Sequence, residues 1–259
     1  MPVDPFKALL ALVLVLLLLS LGNARWSQPL VSVVNRWLRW LFAAGLFAFT
    51  LDATGWLPRP LWQLLLVGFL VWFLLETFYN WVLVGALSRS ELPLFPRFQV
   101  NAEGDEWPVN RQSILVRDWL RSQGFQRLQS LKAPLAPNFA LRSSIYQNDD
   151  CSVRCQILFL PKGGGNLTMA YVLTTKTTDG ERLITDNSFM PFAAYYPEKW
   201  FVERYPLMRS LPKLLKRHHA RIRAYDVAVQ PWSDDDPVDE VNQQQRQLEQ
   251  LNIRCGFLE

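Results

Sequence analysis

Three long apolar runs occupy the first ninety residues of this 259-residue chain. They cover about residues 6–22, 38–57 and 61–87, and the segment Pro58-Arg59-Pro60 separates the last two. Proline cannot continue a helix but is tolerated in the first turn of the next one. About 20 apolar residues are needed to cross the hydrocarbon core of a bilayer as a helix. The pattern predicts a transmembrane region over residues 1–90, made of one N-terminal helix and a helical hairpin.

The rest of the chain has the composition of a water-soluble domain. Most of the 27 basic and 23 acidic residues follow residue 100, although only 19% of the whole chain is charged. An aromatic content of 13% excludes a disordered or collagen-like chain. Three cysteines are too few, and odd in number, for a disulfide-stapled secreted scaffold. The mean hydropathy of +0.03 is therefore an average over two different parts.

The first apolar run has two interpretations. Gly22 and Ala24 place small residues where a signal peptidase would cut, which is typical of a cleaved signal peptide. The stretch before the run carries Asp4 beside Lys7, however, and this is a weak positive region for a signal peptide. We favour a retained helix and keep cleavage as the alternative.

Basic residues near the ends of the helices predict the orientation, because Lys and Arg resist translocation. Only Lys7 and Arg59 lie on one side of the predicted membrane. The other side carries Arg25, Arg36, Arg39, Arg89 and Arg97. The count predicts a cytoplasmic soluble domain and an N-terminus outside, in a multi-pass protein. Cleavage of the first run would reverse this orientation.

Polar residues within the hairpin form one candidate site. Glu76 and Asn80 are spaced i, i+4 and share one face of a helix, at the depth of Arg36 and Arg39. Pairing with these arginines would lock the register of the two helices. An ion or proton pathway is the alternative, although it normally needs several such groups deeper in the bilayer. The sequence favours the structural role.

The soluble part predicts an α+β domain over residues 109–259, after a linker at 91–108. Asn110 can cap a helix over 111–123 that ends at Gly124, with an apolar stripe that includes Leu115. Alternating apolar residues then predict an antiparallel meander of about four strands with helices on one face. Two further helices are expected, one from Ser210 to about Arg223 and one from Asp236 to about Leu251.

Motifs for catalysis or metal binding are weak. The segment from Lys162 to Gly165 lacks the spacing of a phosphate-binding loop and predicts a hairpin turn. Cys151 and Cys155 are too far apart on a strand for a disulfide and lack a second pair of zinc ligands. Adjacent His218 and His219 cannot bind one metal in the usual helical spacing. We expect no catalytic residue, cofactor or metal, and a solvated histidine pair.

The most distinctive feature of the soluble part is the separation of its charges. Six bases come first, and six acids follow from Asp226 to Glu240. The simplest interpretation is a solvated surface on which the two signs neutralise each other. The functional alternative is a basic helix on anionic lipid head groups. The bases are Arg209, Lys213, Lys216, Arg217, Arg221 and Arg223.

Together these features predict an integral membrane protein with a cytoplasmic binding domain, acting as a non-catalytic accessory, assembly or scaffold factor. Its expected partners are the bilayer, anionic lipid head groups and an unidentified protein. Nucleic acid is not expected, because aromatic residues do not alternate with the basic residues. The alternatives are a membrane-anchored enzyme that uses His218 or His219 and a subunit of a transport system.

Overall fold

The computed structural model describes residues 5–26, 29–88, 93–102, 107–136, 139–162, 166–188, 194–232 and 236–256. The chain divides into two compact units, residues 1–90 and 91–259. The boundary lies at the end of the predicted transmembrane region.

The first unit contains three helices: α1 (Pro5–Trp26), α2 (Pro29–Thr54) and α3 (Leu61–Ser88). The proline-rich segment separates α2 from α3, as the sequence predicted. Helix α2 begins well before the predicted residue 38. Proline suits a first helical turn, and no further proline or glycine interrupts the chain between Pro29 and Gly45. Arg36 and Arg39 therefore belong to α2 rather than to a loop before it.

Helices α2 and α3 pack through small side chains. Ala44 and Ala48 of α2 and Leu64 of α3 are buried. A Cβ atom placed on Gly68 would lie 2.9 Å from the carbonyl oxygen of Ala44, so the two backbones approach closely at this point. Glycine and alanine permit such close packing of apolar helices.

Helix α3 alone, among the described residues, is long and apolar enough to cross a membrane by the criteria of length and composition, over Leu61–Ala86. The apolar part of α1, Leu9–Gly22, is shorter. Helix α2 carries Arg36, Arg39 and Asp52, which reduce its hydropathy. Composition thus supports one crossing segment where the sequence pattern predicted three.

The second unit is built on a mixed sheet whose described part has eight strands. Neighbouring strands follow the order β1-β2-β3-β4-β5-β6-β7, and β8 pairs with β5. All pairs are antiparallel except β6 with β7, which are parallel. The strands are β1 (Gln99–Val100), β2 (Gln126–Ala136), β3 (Phe139–Gln147), β4 (Arg154–Lys162), β5 (Asn166–Thr177), β6 (Arg182–Asp186), β7 (Trp200–Arg204) and β8 (Val229–Gln230).

The predicted four-strand meander corresponds to β3–β6, but the sheet is larger than predicted. Asp179-Gly180 forms the turn between β5 and β6, where Gly180 has a φ of 75°. Strand β2 escaped prediction because polar residues and Pro134 interrupt its apolar alternation. The backbone of β2 is held in an extended conformation by antiparallel pairing with β3, which its own sequence pattern does not indicate.

Three helices accompany the sheet: α4 (Arg111–Ser122), α5 (Leu211–Tyr225) and α6 (Pro237–Arg254). The side chain of Asn110 accepts a hydrogen bond from the Ser113 amide and caps α4, as predicted. Asp236 caps α6 in the same way. The predicted apolar stripe of α4 is wrong at Leu115, which is 59% exposed, because Ser113 faces the sheet instead.

The sheet is covered on both faces, which corrects the prediction of helices on one face. Helices α4 and α5 pack on one face and contribute Leu120, Leu211, Leu214 and Leu215 to a core with residues of β3, β4 and β5. Helix α6 packs on the other face through Val238 and Val241. Successive residues of β4 therefore point to opposite faces of the sheet. Ile157 belongs to the core under α4 and α5, and Leu158 packs against the core under α6.

The segment predicted to be a linker, 91–108, is part of the domain in its described residues. Phe95, Phe98 and Trp107 are buried. The side chain of Asn242 accepts a hydrogen bond from the Phe98 amide and donates one to its carbonyl, both at 2.7 Å. Its prolines and charges suggested irregular chain, but its aromatic side chains fill the domain core.

Candidate functional site

His218 is a buried core residue, which corrects the expectation of a solvated histidine pair. Its side chain on α5 is fully buried between the helix and the sheet. The Nε2 atom lies 2.9 Å from Oγ1 of Thr175, and the Nδ1 atom lies 2.8 Å from Oγ1 of Thr185. The adjacent His219 is half-buried. Neither Asp186 nor Asp226 forms the acid partner that a His218 general base would need.

The surrounding hydrogen bonds define which nitrogen of His218 carries the proton. The Thr175 hydroxyl donates to the carbonyl of Ser152 at 3.0 Å, so its oxygen must accept from Nε2–H. The guanidinium of Arg221 donates to Oγ1 of Thr185 at 2.7 Å, which leaves the Thr185 hydroxyl to donate to Nδ1. Both ring nitrogens of a neutral imidazole are thereby satisfied.

This environment disfavours the imidazolium form. Burial, followed by the positive charge of Arg221 and the neighbouring His219, lowers the pKa of His218 to about 3. The pKa of His219 is also lowered, by burial first and then by Arg223. His218 is consequently a neutral structural residue at physiological pH.

Arg221 also departs from its predicted place on a basic surface. It is buried, and its guanidinium donates to the carbonyl oxygens of Ile184 and Phe201. Its Nε atom lies 3.0 Å from a carboxylate oxygen of Glu203. The helical position places Arg221 on the same side as Leu214 and His218, so it faces the sheet. Arg221 fixes α5 on the parallel strands β6 and β7.

The other five predicted bases are exposed, and we call them the basic face. They are Arg209, Lys213, Lys216, Arg217 and Arg223. Helix α5 contains no Asp or Glu. The basic face therefore presents positive charge along the side of α5 that points away from the sheet.

Neighbouring residues complete this surface. Leu207, in the turn before α5, is 54% exposed. Arg209 donates a hydrogen bond to Oγ1 of Thr168 at 3.0 Å, and the Arg217 guanidinium lies 5.9 Å from the ring centroid of Tyr205. Leu207 was missed by sequence reasoning, although the apolar pair Leu207-Met208 directly before Arg209 is a signal that could have drawn attention to it.

Two of the six acidic residues, Glu240 and Asp236, form contacts elsewhere in the domain. Glu240 on α6 lies across the sheet, 2.6 Å from Arg182 and 3.2 Å from Lys176. Burial opposes its ionisation, but Arg182 and Lys176 outweigh that effect and lower the pKa of Glu240. Asp236 is occupied as the cap of α6, and Asp234 and Asp235 lie outside the described residues.

Sequence reasoning also missed a cluster around Trp232. The indole ring is buried, with the Arg154 guanidinium 4.3 Å and the Lys176 ammonium 4.2 Å from its centroid. Cation–π contacts of this kind stabilise a buried indole. The adjacent cavity, beside α6, has a volume of about 30 Å³, which is room for about one water molecule. The cluster is therefore structural packing rather than a ligand pocket.

In the helical unit, Arg36 and Glu76 form an ion pair with 2.5 Å between the guanidinium and the carboxylate. Arg39 and Asn80 line the same groove, together with Trp40 and other aromatic residues. The groove has a volume of about 390 Å³. The four polar residues singled out in the sequence thus lie together on facing sides of α2 and α3.

The remaining candidates give no reactive group. Burial raises the pKa of the Cys155 thiol to about 12, so it is not a nucleophile at neutral pH. Cys151 and Cys255 are free thiols. The glycines that follow Lys162 lie outside the described residues, and the flanking Lys162 and Asn166 pair across the β4–β5 hairpin. No set of three His, Cys, Asp or Glu residues in the described ranges could hold a metal ion.

These features define a class of protein: three apolar helices, one of them suited to cross a membrane, followed by an α+β domain with a basic helical surface. Comparison with known proteins adds no relative, since no family model, curated protein or solved structure matches the chain.

Proposed function

We propose that this chain is a multi-pass membrane protein whose second unit is a cytoplasmic, non-catalytic binding domain, serving as an accessory, assembly or scaffold factor. The observation that carries the membrane location is the exposure of α3. Phe78, Trp81 and Leu74 are 70%, 78% and 64% exposed. A continuous apolar surface of this kind is suited to lipid rather than to water.

The packing of α2 supports more than one crossing. Its small residues Ala44 and Ala48 are buried against α3, so a bilayer around α3 would also surround α2. Helix α1 contacts α2, and Asn35 of α2 donates a hydrogen bond to Ser20 of α1 at 3.0 Å. We expect the charged ends of α2 to lie near the membrane interfaces.

The chemistry of α5 supports binding rather than catalysis. His218 was one of the two histidine candidates for a general base, and each of its ring nitrogens is hydrogen-bonded to a threonine hydroxyl. An enzyme would have to rely on the half-buried His219. The ion pair between Arg36 and Glu76 likewise favours a structural carboxylate over a site for transported ions.

Labelling of Cys255 tests the orientation. Cys255 is exposed, and Cys155 is buried. A membrane-impermeant maleimide should label the full chain only after the expressing cells are permeabilised. A Cys255→Ser variant gives the background from Cys151. Labelling of Cys255 in intact cells would place the domain outside and overturn the proposed orientation.

Purification tests the binding role. The full chain should resist extraction by alkaline carbonate and, after detergent solubilisation, co-purify with a protein partner in a fixed stoichiometry. Release into the carbonate supernatant would contradict the membrane location. Purification of the chain alone from its native membrane, after mild cross-linking, would contradict the scaffold role.

A further inference from the structure

We propose that the basic face docks on anionic phospholipid head groups. This inference rests on the proposed function, because it requires a bilayer beside the domain. It names the surface that contacts lipid and the lipid chemistry that the surface selects.

The first argument is the arrangement of the charges. Arg209, Lys213, Lys216 and Arg223 follow each other at intervals of three, four or seven residues, which places them on one side of the helix and the turn before it. The opposite side is anchored in the core by Leu211, Leu214, Leu215, His218 and Arg221. At about 1.5 Å per residue, the 15 residues of α5 extend roughly 22 Å, enough to span several lipid head groups.

The second argument is the contrast between α5 and the rest of its domain. Bases and acids are nearly balanced over residues 91–259, whereas α5 has no acid. Burial of Arg221 sharpens this pattern, because it removes one base from the surface and leaves the other five exposed. The positive charge is thus confined to a surface that a negatively charged plane can contact as a whole.

The third argument is the exposed Leu207. It precedes Arg209 and stands in the turn that leads to α5. An apolar side chain beside a row of bases can enter the acyl boundary while the bases contact phosphates. The two lysines of the basic face present mobile point charges, and its three arginines present guanidinium groups whose geometry matches phosphate.

The experiment uses the full chain reconstituted in lipid vesicles. Ala220 is exposed in the middle of the basic face, so an Ala220→Cys variant carries an environment-sensitive fluorophore there. Cys151 and Cys255 are replaced by Ser, and the buried Cys155 is retained. The accessibility of the label to acrylamide is compared between vesicles of phosphatidylcholine and vesicles that contain phosphatidylserine.

We expect phosphatidylserine to reduce acrylamide quenching about threefold or more and 1 M NaCl to reverse this, because salt shortens the Debye length to about 3 Å. The triple variant Lys213→Glu, Lys216→Glu, Arg217→Glu should lose the protection. A matched variant, Arg111→Glu, Arg121→Glu, Arg246→Glu, makes the same change in charge at exposed positions elsewhere and should retain it.

The outcomes separate the two proposals. Failure of the chain to remain in the vesicles after carbonate treatment would contradict the proposed function. Stable incorporation with equal quenching in both kinds of vesicle would overturn lipid docking and leave the proposed function standing. Equal loss of protection in both triple variants would also overturn it, because net charge rather than the basic face would then govern contact. The comparison of vesicles uses the labelled chain with all five bases of the basic face intact, so misfolding of a charge variant cannot decide it.

Discussion

The Nδ1 atom of His218 lies 2.8 Å from the hydroxyl oxygen of Thr185, so helix α5 and strand β6 are joined by a hydrogen bond inside the core. The same oxygen accepts a hydrogen bond from Arg221 at 2.7 Å. Thr185 therefore connects two buried side chains of α5 to β6. These two hydrogen bonds help to hold the buried side of α5 on the sheet while its basic face stays exposed.

Replacement of Thr185 by valine should destabilise the domain. The Thr185→Val change keeps the shape but removes the hydrogen-bond partner of Nδ1 of His218 and one partner of Arg221, and an unsatisfied buried polar group costs about 1–3 kcal/mol. Denaturant unfolding of the detergent-solubilised chain measures the change in the free energy of unfolding. The control is Thr178→Val at an exposed position, which should have little effect. Equal stability of both variants would show that the network contributes nothing.

Acidification should weaken the fold through His218. Its pKa is about 3 in the folded chain, against about 6.5 when unfolded, so the unfolded chain binds the extra proton between these pH values. The free energy of unfolding should therefore decrease as pH falls through this window, by up to about 1.4 kcal/mol per pH unit. A His218→Gln variant lacks this contribution. Denaturation curves at several pH values should show a steeper loss for the unmodified chain, and parallel curves would refute the prediction.

Elements with local signals were predicted well from the sequence. Asn110 and Gly124 delimit α4, and Asp236 begins α6, because caps depend on a few residues near the helix end. Strand β2 and the parallel strand β7 were not foreseen. Their order depends on pairing with β3 and β6, and no short sequence pattern contains that information.

The candidate site shows the same limit. The sequence places six bases close together, but helical periodicity and packing on the sheet decide which of them face water. Arg221 points inward because Glu203 and the carbonyls of Ile184 and Phe201 can compensate its burial. These partners come from distant strands. The direction of the Arg221 side chain could be recognised only once the sheet topology was known.

Exchange of charges between α2 and α3 tests the ion pair of Arg36 with Glu76. The single variant Arg36→Glu places two carboxylates together and should weaken the helical hairpin. The exchange Arg36→Glu, Glu76→Arg should restore part of the loss, because it recreates an ion pair at the same place. Unfolding in mixed micelles with increasing SDS measures hairpin stability. Failure of the exchange to improve on the single variant would argue against a direct pairing role.

Addition of one methyl group to Gly68 tests the close packing of α2 and α3. A Cβ atom at this position would meet the Ala44 carbonyl oxygen at 2.9 Å, whereas one at Gly85 would meet nothing within 4 Å. Overpacking of a tight contact costs about 1–3 kcal/mol, while glycine to alanine on an open helix surface favours the helix by up to about 1 kcal/mol. Gly68→Ala should therefore lower the SDS concentration at the unfolding midpoint, and Gly85→Ala should leave it unchanged or raise it. The two glycines share one helix, so equal shifts would reflect helix propensity alone and contradict the close approach of α2 and α3.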